Sequence, residues 1–175
     1  MAKTFSLGTL LGLRLTVLPS AILATGLLSG FFAGVGYWAL GLSVLEAIMG
    51  GMLAGLIHWI GEIWHQFGHA LAARRVGYPM QGIEFWGLLG RSVYPTDEPD
   101  LPSQIHIRRA LGGAPASFLF ALLAGIFLAR LNPTDGVLYW LVVFAVFENL
   151  FVFGLGAFLP LGFTDGSTLL RYWGK

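Results

Sequence analysis

Long apolar runs, broken by short polar stretches, dominate the chain. A helix needs about 20 mostly apolar residues to cross the hydrocarbon of a bilayer, and residues 19–40, 43–73, 110–131 and 136–159 meet that requirement. The second run is long enough to cross and then emerge as a helical extension. Gly41-Leu42 and the stretch from Asn132 to Asp135 punctuate the runs. Before Pro19, Leu13, Leu15 and Val17 alternate with Arg14 and Thr16, the period of an interfacial strand. The sizeable water-facing stretch, 76–107, begins with Gly77-Tyr78-Pro79, which ends the helix. It continues as a hairpin with Ile83 and Phe85 in one arm, Gly87 to Gly90 as the turn and Ser92 to Tyr94 in the other. Residues 95–104, with three prolines and three acids, form an irregular connector. The pattern predicts one all-α integral membrane domain over 1–175, with about four transmembrane helices and a small cytoplasmic or interfacial β-hairpin or sheet.

Composition agrees. The chain is 56% hydrophobic and 11% charged, against about a quarter charged in soluble domains. Without cysteine there are no disulfides or thiolate sites, so any metal must use histidine and carboxylate. The first residues lack a signal-peptide layout, and the amino terminus is expected to be retained. With four crossings, Lys3, Arg14, Arg74, Arg75, Arg91, Arg108, Arg109, Arg171 and Lys175 share one side, and Arg130 stands alone on the other. This bias predicts both termini in the cytoplasm. Gly26, Gly30 and Gly34 in the first span and Gly51 and Gly55 in the second have the small-xxx-small spacing of closely packed helices, within the chain or between two copies. The partners expected are lipid and transmembrane protein or peptide segments, without nucleic acid.

The second span carries a polar stripe. His58, Glu62, His65 and His69 recur at spacings of four, three and four, which keeps them on one helical face along a line of about 16 Å. Ionisable groups within a membrane helix cost at least ~2.5 kcal/mol for a central charge and mark function by default. The alternative is an internal hydrogen-bonded ladder that fixes helix packing. Histidines at i and i+4 point the same way, so His65 and His69 can share one tetrahedral zinc and leave two positions open. Glu148 adds a second acid within the fourth span, expected to be neutral or paired with His58 or another internal partner.

The segment HQFGHALAARRVGYP resembles the HELGHALAARRLG-like segment of the site-2 protease family of intramembrane zinc metallopeptidases. LGLRLTVLPS is similar to that family's opening strand and start of the first helix, and GIEFWGLLGRSVY to its glycine-rich hairpin. RALGGAPASFLFAL resembles the third-helix segment AGPLANLLLAL, and NLFVFGLGAFLPLGFTDGSTLL the last helix with its N-L-L-P-x-x-P-L-D-G motif. The resemblance implies a prokaryotic inner-membrane protein with one Zn2+, for which Asp165 is the third ligand beside His65 and His69. Two imidazoles and a carboxylate leave a fourth position for water. Asp165 also stands where a cap would open the helix that follows.

Two residues depart from the family pattern. Gln66 stands where the family carries its catalytic glutamate, and an amide has no useful proton-accepting pKa. General acid–base catalysis contributes roughly 10²–10⁴-fold, so peptide hydrolysis should be weak or absent. Ala157, eight residues before Asp165, replaces an asparagine that helps hold substrate. Two losses point to natural divergence rather than one designed change. Glu62, one turn before His65, is a substitute base, an acceptor for a histidine N–H, or an extra metal ligand. Substrate is expected to add as a strand along the hairpin edge near Ile83, Phe85, Ser92 and Val93. Three functions follow: a zinc-dependent intramembrane peptidase, a non-catalytic subunit that binds transmembrane segments or joins a larger membrane complex, and, more distantly, a redox site of histidine and glutamate.

Overall fold

The computed structural model describes residues 4–175; Lys3, counted on the basic side of the chain, lies outside them. Strands β1 (Phe5–Leu10) and β2 (Leu13–Val17) precede helices α1 (Pro19–Trp38) and α2 (Val44–Arg75). The hairpin of β3 (Gly82–Trp86) and β4 (Leu89–Val93) leads to α3 (Ser103–Ala110) and α4 (Gly113–Leu128). The chain continues through α5 (Val137–Phe147), a π-helical segment (Glu148–Leu155), a 3-10 turn (Gly156–Phe158) and α6 (Asp165–Tyr172). Four stretches are long and apolar enough to cross a membrane: Pro19–Trp38, Val44–Arg75, Ser103–Leu128 and Val137–Phe158. Their length and composition give the domain a lipid-bilayer context.

Helix α2 organises the rest. Its 32 residues rise about 48 Å, more than the ~30 Å hydrocarbon thickness, so one end stands clear of the lipid. A capping box opens it: the Ser43 hydroxyl accepts from the Glu46 N–H, and the Glu46 carboxylate accepts from the Ser43 N–H at 2.9 Å. It closes at Gly77, whose φ of +83° allows the Tyr78 N–H to reach the Ala73 carbonyl at 3.1 Å and the Gly77 N–H the Arg74 carbonyl. Helix α1 packs closely on α2. A Cβ at Gly51 would come within 2.8 Å of the Ala33 nitrogen, and one at Gly55 within 2.5 Å of Ser29 Oγ. Gly26 and Gly30 have nothing within 4 Å and Gly34 meets Trp38 of its own helix, so of the two glycine series the one in the second span makes the close approach, with Gly36 of α1 set against Ala47.

The four strands form one sheet in the order β1-β2-β3-β4, with β2 and β3 parallel and the outer pairs antiparallel. Leu13, Leu15, Ile83 and Phe85 bury one face of the sheet against Ala70 and Ala73 at the emergent end of α2 and Met80 in the segment that follows it. This corrects the expected role of Ile83 and Phe85. Both lie in an inner strand, paired on each side and buried, so they are core residues and the open edge is β4 with Ser92 and Val93.

Three other boundaries differ from the sequence reading. Strand β1 was not expected; each of its residues is exposed, so no alternation of burial betrays it. The third span starts earlier, with amphipathic α3, and bends at Leu111-Gly112 before α4. The fourth is interrupted by the π segment. There the Asn149 side-chain amide donates to the Ala145 carbonyl at 3.0 Å, a local bond that competes with the α-helical ladder. Glu148, Asn149, Phe153 and Ala157 are all buried along this stretch.

Candidate metal centre

The polar stripe faces inward, with His58, Glu62, His65, Gln66 and His69 all buried. Helix α6 brings Asp165 to the two distal histidines. Thr164 is the cap residue of α6 and Asp165 its first helical position, which leaves the carboxylate free to turn inward. Gly166 permits this approach, because a Cβ there would collide with the Phe158 carbonyl. His106 of α3 stacks on Tyr172 of α6 at 4.1 Å and 11°, bracing the far end of that helix.

His65 Nε2 and His69 Nε2 lie 3.0 Å apart. Asp165 Oδ2 is 3.4 Å from the first and Asp165 Oδ1 3.3 Å from the second. Bonds of about 2.0–2.1 Å in a tetrahedron require ligand atoms about 3.3 Å apart, so the three residues fit one zinc-sized ion. The outer ring nitrogens support the same reading. His69 Nδ1 meets the Arg109 carbonyl at 2.9 Å, and a carbonyl only accepts, so that nitrogen carries the proton and a neutral ring turns its Nε2 lone pair inward. His65 Nδ1 meets Ser117 Oγ at 3.0 Å. Gly113 leaves the space: a Cβ there would lie 2.5 Å from His69 Nε2 and closer still to His65 Nε2. Asp165 Oδ2 is buried without a hydrogen-bond partner. Two imidazole nitrogens and a carboxylate converging on one point suit a cation.

Glu62 stands apart from this group. Among the described residues, the atoms within 4.8 Å of one another belong to His65, His69 and Asp165. Glu62 Oε1 accepts from the Gly90 N–H at 2.8 Å and from Gln66 Nε2 at 3.1 Å. It is not the acceptor for either histidine N–H, because Ser117 and Arg109 occupy those places. Gln66 is fully engaged: Nε2 also donates to the Gly90 carbonyl at 2.8 Å, and Oε1 accepts from Ser92 Oγ at 2.9 Å. Both outward-facing backbone groups of Gly90 are therefore held by α2, and by strand alternation the next outward pair along the edge belongs to Ser92.

The remaining stripe residue serves a different contact. His58 Nδ1 lies 2.6 Å from Glu148 Oε1, and His58 Nε2 lies 2.9 Å from the Leu88 carbonyl in the hairpin turn. The carbonyl fixes a proton on Nε2, so one further proton is shared between His58 and Glu148. Phe153 separates this pair from the metal group, with its ring 5.5 Å from His58 and 6.0 Å from His65. A cavity of about 880 Å³ opens over the centre, lined by Glu62, Gln66, Ala157 and the three candidate ligands.

Arg109 was counted in the sequence only as a positive charge, yet it is buried and central. It pairs with Glu98, donates to the Tyr78 carbonyl at 2.7 Å and stacks over Tyr94 at 4.0 Å, while its own carbonyl orients His69. Glu98 is one of the three acids of the irregular connector, and nothing local in the sequence marks the pair.

No family model and no curated protein matches the chain. Among solved structures it is similar to a site-2 protease from Methanocaldococcus jannaschii, at 17% identity over 97% of this chain and 70% of that chain, with a TM-score of 0.67. The likeness is one of architecture, and the fold of this chain is site-2-protease-like.

Proposed function

We propose that this chain is a membrane-integral, zinc-binding domain of site-2-protease type that engages transmembrane segments and hydrolyses peptide bonds weakly or not at all. His65, His69 and Asp165 hold the ion, Arg109 and Ser117 fix the imidazoles, and Gly113 leaves the room. A bound zinc would polarise a carbonyl and acidify a water toward neutral pH. What limits turnover is the proton. The observation that carries this reading is the engagement of Gln66, whose amide bonds Glu62, Gly90 and Ser92. That side chain clamps the hairpin to α2 and has no capacity to take a proton from water. An extended segment would pair with the edge of β4 beyond Gly90, through the backbone of Ser92, since the Val93 carbonyl is turned the other way and accepts from the Gln81 N–H. Ala157, in the cavity wall, offers no hydrogen bond to it. The same features suit a subunit that holds a transmembrane segment within a larger membrane complex.

One observation favours a second reading, in which Glu62 is the base. It lines the same cavity as the metal group, and both of its bonds fall on Oε1, so Oε2 is left for a water. Cleavage of a reporter transmembrane peptide by four proteins separates the readings. The unchanged protein is expected to be silent. Gln66→Glu should recover activity only in part, since a carboxylate there faces the Glu62 carboxylate and the Gly90 carbonyl. Gln66→Glu with Ala157→Asn should cleave faster than Gln66→Glu alone. Cleavage by the unchanged protein, abolished in Glu62→Gln, would overturn the proposal and establish Glu62 as the base.

A further inference from the structure

A second cavity, of about 640 Å³, runs along the outside of the molecule between α2 and the α3–α4 segment, and it shares no lining residue with the cavity over the metal group. The two helices touch backbone to backbone where it lies. A Cβ at Gly68 would collide with the Gly112 carbonyl and one at Gly112 would come within 2.7 Å of Ala72 Cβ, so the side chains flanking this crossing leave a groove. Its walls are apolar, with Trp64, Leu71, Pro115 and Leu119, and it ends at Arg75 and Arg108. The Trp64 N–H is spent on the Ala116 carbonyl at 2.7 Å, so the ring offers the groove an apolar surface.

The two arginines differ from their neighbours. Arg74 donates to the Leu11 carbonyl, Arg91 pairs with Glu84 and Arg109 with Glu98. Arg75 and Arg108 are exposed, and among the described residues neither forms an ion pair. Eleven residues separate Trp64 from Arg75 on α2, a rise of about 16 Å, which is half of the ~30 Å hydrocarbon core. The groove thus has the length of one leaflet, with its cationic end where α2 leaves the lipid for the sheet. Guanidinium groups bind phosphate with bidentate geometry, and basic pockets between transmembrane helices suit anionic head groups.

We infer that this groove holds an anionic phospholipid, its phosphodiester between Arg75 and Arg108 and one acyl chain along Trp64, Leu71 and Leu119. The lipid bridges α2 to α3. Since α3 carries Arg109, whose carbonyl orients His69, an occupied groove steadies the support of the metal group from its outer side.

Quenching of Trp64 fluorescence by brominated lipid tests this in vesicles of phosphatidylcholine with a minor fraction of phosphatidylglycerol. The full chain is used, and the signal of Trp64 is isolated by difference from Trp64→Phe. Bromine is carried on one lipid or the other at equal mole fraction. Phosphatidylglycerol should be enriched at the groove about 25-fold, from about fivefold for each of the two arginines. Arg75→Gln with Arg108→Gln should remove the preference, and Arg75→Lys with Arg108→Lys should keep most of it. Equal quenching by the two lipids in the unchanged protein would overturn the inference, as would a preference that survives the glutamine changes. Loss of quenching as protein is concentrated at fixed lipid composition would also overturn it, with a second copy as the occupant.

Discussion

Gln66 shows how one atom alters a site. An amide differs from a carboxylate in offering donors, and here the donors bind the edge of the hairpin at Gly90. Position 66 therefore ties β4 to α2, whereas a glutamate there would accept protons. Arg109 is the comparable residue on the other side of the centre. Its hydrogen bonds hold the Glu98 carboxyl below the ordinary value of 4.5. A carboxyl whose pKa is lowered by folding stabilises the folded state above its unfolded pKa, and that contribution fades as the pH falls through the folded value. Thermal stability of the unchanged protein should fall more steeply below pH 4.5 than that of Glu98→Gln; superimposable acid limbs would contradict this. At this scale the sequence was legible where spacing carries chemistry. His65 and His69 follow from an i, i+4 pair, and Asp165 from a motif. Arg109, Ser117 and Glu98 were not, because their partners lie 40, 52 and 11 residues away along the chain and no local period records such contacts.

Among elements, α2, the hairpin turn and the π segment meet at His58. Removal of one partner from a buried ion pair costs about 3–5 kcal/mol, whereas replacing both with apolar groups is often nearly neutral. His58→Ala should therefore lower the thermal stability of the detergent-solubilised protein strongly, and His58→Leu with Glu148→Leu should recover most of the loss. A single change as stable as the unchanged protein would show that the pair contributes no net stability. The spans were legible because apolar length is read directly, as was the hairpin from its glycines and alternation. The π segment was not: Glu148 and Asn149 sit in an apolar run whose hydropathy is the same for an α or a π turn. Strand β1 escaped for the opposite reason, since a fully exposed strand has no buried face to impose a period of two.

For the whole molecule, four spans and a biased charge distribution give the account its orientation. Cysteine substitutions at Thr96 and Asp135, both exposed, should be labelled from opposite sides of the membrane, with Thr96 on the cytoplasmic face. Labelling of both from one side would remove the four-span topology. The architecture places the polar stripe of α2, the edge of β4 and the start of α6 around one cavity, and the proposed function depends on a metal ion at their meeting point. Metal analysis of the purified protein addresses that dependence most directly, beside Asp165→Ala, which removes a ligand, and Gly113→Ala, which fills the space next to both Nε2 atoms. The unchanged protein should carry one zinc ion per chain and both variants should lose it while remaining folded. A metal-free unchanged protein, or equal zinc in all three, would contradict the account.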